Sequence, residues 1–267
     1  MKPSVLIAAG CSWVAGRAID TDPVTTDYDY DHVEDPNFVQ QHSFAGILQK
    51  KLGLDNFIML ARNGTNNEQQ VHSIVDWITD NADQYSKLFL LFGITSTHRW
   101  QMYSSTAKEV IPCALGMSGK NNPELAEEFK YYTKHFLSNE LEVSRLSVSL
   151  RMLDGYLNNL KIDHLFVNSF QSYSFDSSFA DYYRVNEQKN DLLNFLCETN
   201  DIHVPRTSFP FLNLFGKGKH QYLTEEIIAL QNIGMLDRAT AHPTAKAHQL
   251  IADELYSYIR NNKNERI

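Results

Sequence analysis

The stretch SVLIAAGCSWVAG, residues 4–16, decides how the rest of the chain is read. Val5-Leu6-Ile7-Ala8-Ala9 is a continuous apolar run of the kind a strand buried on both faces requires. Gly10-Cys11-Ser12-Trp13 then makes a corner of small residues that carries a thiol and a hydroxyl. Lys2 ahead of VLIAAGC superficially matches a lipoprotein leader, but the run Val5–Ala9 is shorter than the roughly 7–15 apolar residues of a leader core. A phosphate loop would bring a lysine or a Gly-x-Gly-x-x-Gly pattern, and neither follows. A corner that presents a nucleophile fits better. Gly10 permits a tight turn, and a helix starting after Ser12 would aim backbone N–H groups at a developing oxyanion. A plain strand–helix turn accounts for the same residues.

Outward from this corner, short apolar runs alternate with amphipathic stretches. The runs predict strands at Val5–Ala9, Phe57–Leu60, Leu88–Phe92 and His164–Asn168, with a weaker one at Ile202–Val204. Phe44, Ile47, Leu48 and Leu52 share one helical face, and Gly53 supplies a stop. Val71, Ile74, Val75 and Ile78 form a second stripe, with Asn66 and Gln69 spaced as a capping box. Residues 123–161 are mostly helical in pattern. Ala247, Ile251, Leu255 and Ile259 mark a last helix. Right-handed βαβ progression then gives an α/β fold, a three-layer α/β/α sandwich around a parallel, flavodoxin-like sheet. Ligands of such sheets bind at the carboxyl ends of the strands. No linker or repeat divides residues 1–267, so one domain is expected, with loop insertions near 20–40, 98–122 and 171–220.

Composition narrows the function classes. The chain has 267 residues and is 43% hydrophobic, as a globular core requires. No apolar run approaches the ~20 residues of a membrane span, so no membrane partner is expected. Lys and Arg number 24 against 32 Asp and Glu, a net charge of −8, which argues against a nucleic-acid partner. Cys11, Cys113 and Cys197 are too few and too scattered for a disulfide framework or a zinc site. A reducing, cytoplasmic location is the expectation.

Three further blocks fall at strand ends. Gly64 follows the second strand within Ala61-Arg62-Asn63-Gly64-Thr65-Asn66-Asn67, where its N–H is a candidate second oxyanion donor. Gly93-Ile94-Thr95-Ser96-Thr97-His98-Arg99-Trp100 follows the third strand and is rich in donors, Thr95, His98 and Arg99 among them. Asp237-Arg238-Ala239-Thr240-Ala241-His242-Pro243 precedes the last helix. There Pro243 would fix His242 in a loop suited to a general base. Alone, Gly64 reads better as a loop glycine before a capped helix, the block after the third strand also fits a polar loop, a lone loop histidine usually has no role, and His248 reads as a solvated or packing histidine.

Taken in order, the four blocks resemble the SGNH (GDSL-type) hydrolase superfamily, including divergent members found in phages and bacteria. The resemblance implies an ester-cleaving serine hydrolase acting on small molecules, lipids or sugars, without metal or cofactor. It makes Ser12 the nucleophile and His242 the base, with the N–H groups of Ser12 and Gly64 in the oxyanion hole. Cys11 stands where the family has Asp. Thr95 stands where it has the oxyanion-hole Asn, and Asn66, Asn67 and Arg99 are candidates to replace that donor; losing one such donor costs about 10²–10³ in rate. Ala239 stands at the usual place of the triad acid. Asp237 would reach His242 only if the loop bends back, and otherwise the pair is a Ser-His dyad. Asn66, His98 and Arg99 are the candidate substrate contacts, and the expected partner is a small-molecule or glycan ester.

Other features carry less. Asp27, Asp29 and Asp31 alternate like the start of a calcium loop, but His32 and Phe38 stand at its sixth and twelfth positions, where Gly and Glu belong, so a solvated acidic loop is expected. Cys11 reads as a small buried thiol. The aromatics from Phe170 to Phe211 suit a platform for sugar or acyl groups, or a local core under a long loop. Two rivals to the esterase stay open: a binding or structural module that kept the fold and lost the chemistry, and a nucleotide- or flavin-binding domain, against which Trp13 argues. Association with a virion is compatible with either of the first two readings. The oligomeric state is not legible.

Overall fold

The structure, a computed structural model, describes residues 2–17, 19, 35–97, 99–104, 108–114, 125–136, 138–169, 191–202, 225–238 and 240–262. In chain order its elements are β1 (Ser4–Gly10), α1 (Pro36–His42), α2 (Phe44–Lys51), β2 (Asn56–Met59), α3 (Asn67–Asn81), β3 (Lys87–Ile94), β4 (Arg99–Ser104), β5 (Glu109–Ala114), α4 (Ala126–His135), α5 (Asn139–Asn159), β6 (Asp163–Asn168), α6 (Leu192–Thr199), α7 (Glu225–Asn232) and α8 (Ala245–Asn262).

Four strands form a parallel sheet in the order β2-β1-β3-β6. The register sets Val5 beside Asn56, Gly10 beside Gly93, and Ile94 beside Asn168. Strand side chains alternate between two cores, which explains why the runs are continuously apolar. Leu6, Ala8, Phe89, Leu91, Leu165 and Val167 face Phe44 and Leu48 of α2, Leu192 and Leu196 of α6, and Ile251, Leu255 and Ile259 of α8. Ile7, Ala9, Leu90, Phe92, Ile94 and Phe166 face Ile74 and Ile78 of α3 and Leu146, Leu150 and Leu157 of α5. Helices therefore cover both faces of a parallel sheet, the three-layer α/β architecture expected. No described helix is long and apolar enough to cross a membrane.

Local signals set several boundaries. Asn66 caps α3 with a complete capping box: its side chain accepts from Gln69 N, and the Gln69 side chain accepts from Asn66 N. Ser43 caps α2 by accepting from Gly46 N. The helical stretch expected over 123–161 is two helices, because Ser138 caps a new one by accepting from Leu141 N. Ile202 lies in no strand, and 203–204 fall outside the described residues. Within the expected insertion at 98–122, β4 and β5 pair antiparallel, and Trp100, Cys113 and Phe129 form a small core of their own.

Candidate active site

The carboxyl end of β1 lies between β2 and β3, where successive connections leave in opposite directions and open a crevice. Ser12 stands two residues beyond it. The following residues make a turn, with Ala15 N donating to Cys11 O and Arg17 N to Ser12 O, each 3.0 Å. This corrects the expected helix after Ser12: residues 12–17 turn without becoming one. Cys11 is fully buried in the core with Val14 and Phe44, as a small thiol pointing away from its neighbour should be.

Close backbone approach builds the corner. Gly10 has φ +141°, and a Cβ there would stand 2.6 Å from Gly93 O and 2.7 Å from Val14 Cγ2. Gly10 N donates to Gln70 Oε1 at 2.8 Å, and Gln70 Nε2 donates to Thr65 Oγ1 at 3.3 Å. Arg62 N donates to Gly10 O at 3.1 Å. Gln70 thus ties the end of β1 to the loop that follows β2. The sequence carried a signal for it, since Gln70, Ile74 and Ile78 recur at four-residue spacing on one helical face.

In that loop Gly64 has φ +74°, and a Cβ would meet nothing within 4 Å, so its surroundings are open. Asn66 is buried, and its Nδ2 has no hydrogen-bond partner among the described residues. Asn67, by contrast, spends both amide atoms on the backbone of one residue: Nδ2 donates to Thr95 O at 3.0 Å, and Oδ1 accepts from Thr95 N at 2.9 Å. Asn67 therefore holds Thr95 in place. Arg99 Nη1 donates to Thr65 O at 3.4 Å, linking the start of β4 to the loop that follows β2. His98, the Asp27–Asp31 segment and the aromatics from Phe170 to Tyr183 and at Phe209 and Phe211 lie outside the described residues.

The His242 loop is closed on itself. Leu236 and Pro243 form an antiparallel bridge, and Asp237 N donates to His242 O at 2.9 Å. Ala241 takes φ +57°, bending the chain back toward Asp237. The Asp237 carboxylate accepts from Thr240 N at 2.7 Å, from Thr240 Oγ1 at 2.6 Å and from His242 N at 2.7 Å. The His242 ring itself bonds to Thr240, with Nδ1 2.7 Å from Oγ1. Asp237 thus grips the His242 backbone directly and meets its imidazole through a threonine. Nothing in the sequence around Thr240 signals this contact.

Burial, then the charges of Arg99 and Arg17, push the His242 ring down to about 3. No hydrogen bond joins Ser12 Oγ to the His242 ring among the described residues, and Ser12 is 6% exposed.

His248 belongs to the core instead. It is fully buried and stacks on Phe44 with ring centroids 5.4 Å apart, and its Nδ1 accepts from Phe44 N at 3.1 Å.

No family model matches the chain, and no curated protein matches it. Among solved structures it is similar to an acetyl xylan esterase (Est2A) from the rumen bacterium Butyrivibrio proteoclasticus, with 11% identity and a TM-score of 0.49. The match covers 99% of this chain and spans 65% of the length of that one; the esterase activity is that protein's.

Proposed function

We propose that this protein is a serine hydrolase that cleaves an ester of a small molecule or glycan, with Ser12 as nucleophile and His242 as base. The observations that support the reading are a histidine ring held at Nδ1 by Thr240, itself bound to the Asp237 carboxylate, and a serine in the turn directly after the inner strand β1. In the proposed reaction Ser12 Oγ bonds to the ester carbonyl carbon while its proton passes to His242 Nε2. The tetrahedral intermediate collapses, the bond to the leaving alcohol breaks, and His242 returns the proton to that alcohol. Water, deprotonated by His242, then attacks the acyl-serine carbonyl; the bond to Ser12 Oγ breaks, the acid leaves, and His242 returns the proton to Ser12 Oγ. The N–H groups of Ser12 and Gly64 would hold the oxyanion near Thr95. The unpartnered Asn66 Nδ2 supports a third donor in place of the family's asparagine. Arg99 would line the same end. Asp237 would serve as the acid of the set. No step calls for a cofactor.

A second reading has its own support. Ser12 is largely buried and not bonded to His242, as in a binding module that kept the fold without the chemistry. Hydrolysis of p-nitrophenyl acetate by the full chain separates the two. The esterase predicts turnover that Ser12→Ala and His242→Ala both abolish. The binding module predicts none, or turnover that both variants retain.

A further inference from the structure

We infer that Thr240 is a positioning residue, whose hydroxyl transmits the Asp237 carboxylate to the His242 ring and fixes which nitrogen of that ring is bare. The inference rests on the hydrolase reading for its catalytic consequence, but not for its geometry.

The argument is one of donors and acceptors. A carboxylate only accepts, so the Thr240 hydroxyl, 2.6 Å from Asp237 Oδ2, points its one hydrogen there. What that hydroxyl offers His242 is a lone pair. Nδ1, 2.7 Å from Oγ1, must therefore carry the ring hydrogen. A neutral imidazole has only one, so Nε2 is left as the acceptor, which is the state a general base needs. Thr240 N also donates to Asp237 Oδ1 at 2.7 Å, so the carboxylate holds the threonine by backbone and side chain together. The His242 backbone is fixed by the same carboxylate. The loop conformation and the tautomer thus depend on one anchor.

This arrangement answers the displaced acid. With Ala239 at the usual position, a direct carboxylate–imidazole contact is replaced by a carboxylate–hydroxyl–imidazole chain. The charged groups acting on His242 from other elements are Arg17 and Arg99, both cations that disfavour a proton on the ring. They leave the tautomer to the Thr240 contact.

The test is nitrogen NMR of the histidine rings in the full chain, with His242 identified by comparison with His242→Gln. The relay predicts that His242 is the Nδ1–H tautomer in the wild type and in Thr240→Ser. In Thr240→Val, which keeps the shape and loses the hydroxyl, Nε2–H should become populated. A wild-type His242 found as the Nε2–H tautomer would overturn the relay, even if the valine variant failed to fold. So would an unchanged Nδ1–H tautomer in a folded Thr240→Val. Kinetics with p-nitrophenyl acetate add a second readout. Thr240→Val should lower kcat on the order of 10²-fold with KM little changed, and Thr240→Ser should restore it. A correct tautomer in a protein inert to the ester would sink the hydrolase reading and leave the relay standing.

Discussion

Gly10→Ala is expected to cost about 2–6 kcal/mol of folding stability, from positive-φ strain and overpacking together. The added methyl would stand 2.6 Å from Gly93 O, and a backbone oxygen of a central strand has no room to give. It would also press Val14 Cγ2, a group already seated against Gly93, where a Cβ would come within 2.2 Å of it. The backbone φ of +141° adds strain of its own. Against the roughly 5–15 kcal/mol of a typical domain, this is a large fraction. Urea unfolding of Gly10→Ala beside Gly64→Ala checks it. Gly64 also has positive φ, but its surroundings are open, so its alanine variant should lose only about 1 kcal/mol. Equal midpoints for the two variants would mean that the β1–β3 approach is looser than described.

The second large effect is acid sensitivity centred on His248. Its Nδ1 accepts from Phe44 N, a donor of the first turn of α2, so protonation would remove an acceptor and set a charge at the positive end of a helix. Burial, and then the nearby His242, push it down to about 3 from 6.5. The sign follows from proton counting. Below pH 6.5 the unfolded chain takes up a proton that the native His248 refuses until about pH 3, so stability falls as pH falls through that window. The slope for one such group is roughly 1.4 kcal/mol per pH unit. His242 adds to it in the same direction. His248→Gln keeps an acceptor without the titration. Its stability should change less steeply between pH 6 and pH 4, read as denaturation midpoints across that range. An unchanged slope would place the acid sensitivity elsewhere.

The parallel strands were legible because burial on both faces leaves an uninterrupted apolar run, as in Val5–Ala9 and Leu88–Phe92. The cap of α3 was legible because Asn66 and Gln69 stand at the spacing their mutual hydrogen bonds demand. The hairpin of β4 and β5 was not. Its small core is shared with Phe129 across the chain, and Pro112 within β5 reads as a break. At the proposed site, Ser12, Gly64 and His242 stand out as candidates because each falls in a small or polar block at a strand end. Their connections do not. That Asn67 clamps Thr95, and that Asp237 meets the imidazole through Thr240, depend on side-chain reach and on a left-handed Ala241. An L residue with a methyl side chain gives no sequence signal for positive φ. The turn after Ser12 and a helix start are not distinguished by its small residues, which suit both.

The central claim is that Ser12 is an activated nucleophile, and labelling the folded full chain with a fluorophosphonate probe tests it most directly. Intact mass and peptide mapping should find a single adduct on Ser12, absent from Ser12→Ala and from His242→Ala. No adduct on folded wild type, or one that persists in Ser12→Ala, would contradict the account.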